Sequence, residues 1–344
     1  MDKQPNRAEM WLNRGFFSVP SPDGDRIAAA RMFIGLAIPS LTLLLTGHPE
    51  LVMYAVFGCF TGMYGRGEPH QLRLFHQFWA AVFLCACVLA GVLFSASALG
   101  LWAFVVAETL LAGIGSIIAD RLRLVPAGPF FGLFAFGACA ATPLQGPPGI
   151  PATIAVLAAG CAIVVGFAGW FRARTWHLGI RRADHVPDPG RLKRALATAL
   201  MYLLAVGVAG GLATLLGWGH PYWAMASAAV PLSVAGLSHG VSRGFHRVIG
   251  TYAGLVIAAV VLMVFSHPVF LVLLVIACQF PTELFIRRHY ALSLVFFTPL
   301  ILSMTYLAHP GPVGELVLDR AAETTIGSLV GMLALLLFRR LKRV

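Results

Sequence analysis

Residues 242–258, SRGFHRVIGTYAGLVIA, open with two arginines and a histidine and close on an unbroken apolar run. A switch that abrupt marks a helix passing from an aqueous face into hydrocarbon, its cations left among water and headgroups. Apolar runs recur at 32–46, 99–119, 152–171, 252–265 and 327–338, several of them close to the roughly 20 residues that cross a bilayer. Of 344 residues, 58% are hydrophobic and 11% charged, whereas a soluble domain carries about 25% charged residues. Too little polar surface remains to coat a water-soluble globule. The chain therefore reads as an all-α polytopic membrane protein in a lipid bilayer, with about twelve transmembrane helices.

The spans are predicted at 27–46, 50–64, 76–95, 98–119, 126–142, 150–171, 195–216, 222–238, 248–265, 268–281, 289–307 and 316–338. Turn-formers such as Gly47-His48-Pro49 and Ser266-His267-Pro268 separate several of them. With alternate loops on opposite sides, 24 of the 25 lysines and arginines fall on one side, and the last, Arg320, lies inside the final span. This bias predicts a multi-pass protein of the plasma (inner) membrane with both termini in the cytoplasm. It also absorbs the net charge of +11, so no nucleic-acid partner is called for. The six cysteines sit in apolar runs without zinc-type spacing and read as small buried hydrophobes. No metal or cofactor is predicted, and no cleavable signal peptide is evident.

The R-x-F-H pattern occurs at Arg73–His76 and again at Arg243–His246, 170 residues apart. Gly47-His48-Pro49 recurs as Gly219-His220-Pro221 at an offset of 172, and Phe171-Arg172 as Phe338-Arg339 at 167. Ordered anchors at a nearly constant offset predict a duplicated chain. Its parts are a cytoplasmic tail (1–26), a first six-helix repeat (27–171), a cytoplasmic linker (172–194), a second six-helix repeat (195–338) and a basic tail (339–344). An even number of spans per repeat makes the copies parallel, related by an axis along the membrane normal. No GxxxxGK[ST] loop occurs, so nucleotide-driven pumping by this chain is not expected.

Three stretches, GHPYWAMASAAVPL (219–232), SRGFHRVIGTYAG (242–254) and DRAAETTIGSLVG (319–331), together resemble the fusaric acid resistance protein-like, or aromatic acid exporter, superfamily of integral membrane transporters. The R-x-x-GT element at Arg247–Thr251 is also distantly similar to one in plant aluminium-activated malate transporters. The resemblance is clearest over 219–338 and implies a carrier of small, often aromatic, organic acids.

In the last span Asp319, Glu323, Gly327 and Gly331 recur every four residues and so form one slowly drifting stripe on the helix. Arg320 is spaced to pair with Glu323. A charge at the bilayer centre costs on the order of 2.5–3.5 kcal/mol, so the stripe is expected to face the bundle interior. It is either a structural ion pair or a site where Arg320 holds a substrate carboxylate while Glu323 or Asp319 takes up a proton. The first half offers only uncharged residues, 152–156, at the equivalent place. Glu108, isolated near the middle of its span, is a further proton-coupling candidate. Arg243, His246, Arg247 and Thr251, with Arg73 and His76, either anchor helices at the cytoplasmic boundary or form an anion-attracting mouth. The pairs Gly58/Gly62, Gly250/Gly254 and Gly327/Gly331 predict close helix packing. Glu283 is expected to pair with Arg287, and Asp120 with its neighbours Arg121 and Arg123. Pro39, Pro231 and Pro299 are expected to kink spans, and His48 and His220 to serve as turn residues.

These features predict a secondary transporter that exports small amphipathic organic acids in a proton-coupled manner, and the resemblance implies aromatic ones among them. The alternative is a passive anion channel resembling the malate channels. No HExxH motif, Asp-rich motif pair or plausible Ser/His/Asp set appears, so an enzyme is not expected. Implied partners are the bilayer, a small organic anion and protons. The two fused halves predict a monomer.

Overall fold

The computed structural model describes residues 25–97, 99–168 and 190–341. Residues 1–24, position 98, 169–189 and 342–344 lie outside the described residues, and with them most of both tails and the linker, and the repeat anchor at Phe171-Arg172. Among the described residues twelve α-helices follow in order: α1 (Asp25–Leu45), α2 (Val52–Cys59), α3 (His70–Ala96), α4 (Leu101–Arg121), α5 (Phe130–Ala141), α6 (Gly149–Phe167), α7 (Arg191–Leu215), α8 (Tyr222–Ala229), α9 (Leu237–Val264), α10 (Pro268–Phe285), α11 (Tyr290–Ala308) and α12 (Val313–Leu341). Among the described residues, nine are long and apolar enough to span a membrane. The chain is an integral membrane protein of helical class.

The exceptions, α2, α5 and α8, correct the expectation of twelve full spans. The eight residues of α8 rise only about 12 Å, less than half of a hydrocarbon core of about 30 Å. Pro231 ends this helix instead of kinking a longer one, because it lacks an N–H and its ring clashes with the preceding turn. The Ser233 backbone N–H and hydroxyl both donate to the Val230 carbonyl. Val234 is then extended, and Gly236 adopts φ +90°, a turn that only glycine makes at no steric cost. As a result α9 begins at Leu237, eleven residues before the predicted span. The α2 segment, prolonged by a 3₁₀ turn over Phe60–Met63, stops in the same way, with Tyr64 extended and Gly65 at φ +63°. Pro39 and Pro299 do lie inside helices, α1 and α11.

Within the halves, α3 packs on α5 as α9 does on α11, α2 on α6 as α8 on α12, and α1 on α6 as α7 on α12. Between them, α4 packs on α7 as α10 does on α1, and α5 on α8 as α11 on α2. Each of these contacts has a counterpart six helices along. Every residue of α2 and α8 is buried, the position in a bundle that suits a helix apolar all round. The outer helices keep apolar faces exposed, with Leu93, Val106, Leu204 and Val256 among them. Lipid covers such faces at no hydrophobic cost.

Small residues set the closest approaches. A Cβ at Gly327 or Gly331 would overlap the carbonyl oxygens of Ala224 or Ala228 on α8, and one at Gly58 that of Ala155 on α6. Gly250 and Gly254 abut Ala291, Leu294 and Thr298 on α11, while Gly62 meets the flexible Met32 side chain.

Two expected ion pairs are replaced by long-range ones. Glu283 does not pair with Arg287. It accepts from Arg66 Nη1 at 2.7 Å, and Asp25 bridges Arg66 (3.2 Å) and Arg288 (3.0 Å). Asp120 meets Arg191 Nε at 3.4 Å, joining the end of α4 to the start of α7. In both cases the helix ends turn the carboxylate toward a neighbouring element and away from the local arginine. Glu283→Gln keeps the shape but loses a charge-assisted bond, worth about 2 kcal/mol. A thermal-unfolding midpoint several degrees below wild type in detergent is the expected reading.

Candidate substrate and proton site

Because α2 and α8 stop short, a cavity of about 630 Å³ opens between the halves on the face that carries Arg66, Arg243 and Arg287. That size lies within the roughly 300–1,000 Å³ of small-molecule sites. Four aromatic rings, Phe130, Phe131, Tyr290 and Phe297, share its apolar wall with aliphatic side chains such as Ile286 and Leu294. Its cations are Arg66, Arg243, Arg247 and Arg287, against two carboxylates, Glu68 and Glu283. Glu283 is engaged by Arg66, and Glu68 by His76 at 2.6 Å. Among the described residues, no carboxylate lies within ion-pair distance of Arg243 or Arg247.

The early start of α9 moves Arg243, His246 and Arg247 from the predicted membrane boundary into the second and third turns of a long helix. Arg243 lies over the Tyr290 ring, 4.0 Å from its centroid. Arg247, one turn deeper and fully buried, lies 5.1 Å from the Phe130 centroid. Its nitrogens donate only long bonds, each 3.4 Å, to Ser227 Oγ and the Tyr290 hydroxyl. Thr251 is buried a further turn along, its hydroxyl without a partner among the described residues. His246 stacks on His289 at 5.2 Å and does not line the cavity.

Arg73 and His76 do not line it either. Arg73 donates to the backbone carbonyls of Gly166 (2.9 Å) and Glu68 (2.7 Å) and so ties the 65–68 loop to the end of α6. The two R-x-F-H elements therefore have different surroundings: the first is closed by backbone acceptors, the second faces open space.

Beyond Arg247 lies Arg320 on α12, fully buried, with its Cζ 5.0 Å from the Trp223 ring and 5.6 Å from Phe134. None of its three nitrogens has a hydrogen-bond partner among the described residues. The expected pair with Glu323 does not form. Glu323 Oε1 accepts the His220 backbone N–H at 2.8 Å, and Asp319 Oδ2 contacts His220 Nδ1 at 2.8 Å. The reason is angular. Asp319, Glu323, Gly327 and Gly331 do form one stripe, and it runs along α8 and the loop before it. Arg320, about 100° round the helix from Asp319, points instead at the aromatic rings. Glu108 on α4 is fully buried with neither carboxyl oxygen partnered among the described residues. It lies beside Gly137 and within electrostatic reach of Glu323 and Tyr222.

Arg243, Arg247 and Arg320 thus form a file in which each guanidinium stacks on an aromatic face. Such stacking holds the plane of the cation and leaves its donor edge able to take a carboxylate in a bidentate grip. The rings of Phe130, Phe134, Trp223 and Tyr290 were missed by sequence reasoning, because an aromatic residue in an apolar span looks like any core residue. The only local hint was the Tyr-Trp pair a few residues ahead of Pro231.

Residues 207–334 match the family described as fusaric acid resistance protein-like. A Bacillus subtilis (strain 168) relative, uncharacterized membrane protein YvaC, is 30% identical over 147 residues, covering 42% of this chain and 23% of the relative. The p-hydroxybenzoic acid efflux pump subunit AaeB of Escherichia coli O9:H4 (strain HS) is 30% identical over 157 residues with the same coverage, and that of strain K12 is 29% identical. The matched part of the chain spans under a quarter of these relatives' length. No solved structure matches. The motifs at 219–232, 242–254 and 319–331 all lie within or at the edge of the matched segment, and over 207–334 this chain is similar to the fusaric acid resistance protein-like membrane proteins.

Proposed function

We propose that the chain is a secondary transporter that exports small aromatic or amphipathic organic acids in exchange for protons. The observation that carries this reading is the file of arginines, Arg243 partly buried and Arg247 and Arg320 fully so, stacked on aromatic rings and lacking carboxylate partners among the described residues, at the head of an open cavity. A buried cation without a counterion is costly, and an organic carboxylate entering the cavity would supply one. By the positive-inside bias the cavity faces the cytoplasm, with both termini on that side of the plasma membrane. The substrate ring would lie against Phe130 and Tyr290 while Arg247, then Arg320, takes its carboxylate. Glu323 and Glu108, both buried with unpartnered oxygens, are the proton carriers in this reading. The two halves act as parallel repeats of one duplicated unit, supported by their matching helix contacts, and a monomer suffices because the pathway lies between them. The relative named as a p-hydroxybenzoic acid efflux pump subunit supports the substrate class.

The unpaired arginine file also suits a passive anion pathway. Uptake of labelled p-hydroxybenzoate into inside-out vesicles, with and without a protonophore, separates the two. Uptake that collapses with the proton gradient supports coupled export. Uptake that persists and follows membrane potential replaces it with the passive route.

A further inference from the structure

We propose that His220 and Asp319 form the proton's access route to Glu323 from the face opposite the cavity, with His220 as the group where the proton enters. This inference rests on the proton-coupled reading above and adds to it the side from which the proton comes and the residue that couples it to the substrate site.

His220 is engaged at three points. Its Nδ1 lies 2.8 Å from Asp319 Oδ2, its backbone N–H donates to Glu323 Oε1 at 2.8 Å, and its ring stacks on Trp223 at 4.5 Å and 19°. Trp223 in turn lies under the Arg320 guanidinium at 5.0 Å. One residue therefore touches both carboxylates of the α12 stripe and the ring that backs the substrate-binding cation. In this route Asp319 accepts as a carboxylate, which assigns the proton to Nδ1 and leaves Nε2 to receive one.

Exposure is graded along this set. The His220 and Asp319 side chains are 27% and 16% exposed, while Glu323 is fully buried with Oε2 unpartnered among the described residues. Gly219 lets the loop close over the pair, since a Cβ there would sit 2.6 Å from Asp319 Oδ2. The matching turn of the first half shows what a plain Gly-His-Pro turn does. Among the described residues the His48 side chain hydrogen-bonds only to Glu50, at 3.1 Å, and is 60% exposed, and no carboxylate lies in the helix at the place equivalent to α12.

The step moves one proton. It binds Nε2 of His220 from the opposite face, the Nδ1 proton passes to Asp319 Oδ2, and Asp319 delivers it to Glu323, one helical turn deeper. Only N–H and O–H bonds form and break. Among the described residues, the other charged or titratable groups facing this set are Arg320 on α12, Glu108 on α4 and Tyr222 on α8; the adjoining end of α7, Ala213–Leu215, brings none.

The test uses the full chain reconstituted in proteoliposomes, with labelled p-hydroxybenzoate as probe. Two rates are read: exchange without a pH gradient, and accumulation driven by acid on the face opposite the cavity. His220→Gln and Asp319→Asn are expected to lose driven accumulation by about 100-fold, the scale of a lost proton-transfer group. Exchange should fall far less, and the dependence of rate on pH at that face should flatten. Variants that keep driven accumulation with the wild-type pH profile overturn the proposal. So do variants that lose exchange in equal measure, because the pair would then belong to the substrate grip. A wild-type protein that exchanges but ignores the gradient defeats the proton-coupled reading itself, a different outcome from either.

Discussion

Arg320→Met is expected to abolish transport while leaving the folded protein as heat-resistant as wild type or more so. The two effects have one cause. Arg320 is fully buried with no hydrogen-bond partner among the described residues, so an apolar side chain of similar size removes a desolvation cost without breaking a pair; even replacement of whole buried ion pairs by apolar groups is often neutral or stabilising by about 1–4 kcal/mol. Methionine can occupy the space between Trp223 and Phe134, where its flexible, polarizable thioether packs against the rings. In the proposed transport cycle the same change removes the cation that would grip the substrate carboxylate through charged hydrogen bonds. Their loss amounts to about 3 kcal/mol, or roughly 100-fold in affinity. Thermal unfolding in detergent and labelled-acid uptake on the same preparation check both halves of the prediction. A stable variant with full uptake would remove Arg320 from the pathway. A variant with a sharply lowered midpoint would make it a structural residue.

Gly327→Leu is expected to prevent accumulation of folded protein. A Cβ at this position would already overlap the Ala224 carbonyl oxygen, which is backbone and cannot rotate away. Three further carbons force α12 off α8, and with it the Glu323–His220 contact. Overpacking of cores costs about 1–3 kcal/mol when side chains can yield. Against backbone the effect is about 4 kcal/mol or more, the extreme for a single substitution. Gly160→Ala is the control. Nothing lies within 4 Å of a Cβ there, and alanine is favoured over glycine in a helix by up to about 1 kcal/mol. Size-exclusion profiles of the two variants against wild type should therefore differ in kind, one lost and one unchanged. Equal profiles would mean that α8 and α12 are not held at this distance.

The membrane class, the order of the helices and the glycine approaches were legible from local pattern. The reason is that hydrocarbon enforces a rule residue by residue: apolar side chains for a span, small ones for close helices, and a reason for every charge. That rule singled out Arg320, Glu323, Asp319 and Glu108 before any contact was known. It left Arg247 as either a boundary anchor or part of an anion-attracting mouth, and set it at a shallower depth than the structure does. The depth failed because span length was inferred from hydropathy alone, which reads 222–238 as one helix. Pro231 and Gly236 instead stop α8 after eight residues and let α9 begin early. The signal was present in the two residue types and was outweighed by the apolar count around them.

Partners were a different matter. Glu283 meets Arg66, 217 residues away, in place of Arg287 four residues on; Glu323 meets the backbone of His220, 103 residues away, in place of Arg320. Periodicity says which residues share a face of one helix. It does not say which other helix that face meets, or which ring lies under a cation. Those follow from how α4, α5, α8, α9 and α12 pack together. The cost of charge in oil is a property of each segment and can be read there, whereas the groups that offset that cost are brought together only by the folded bundle.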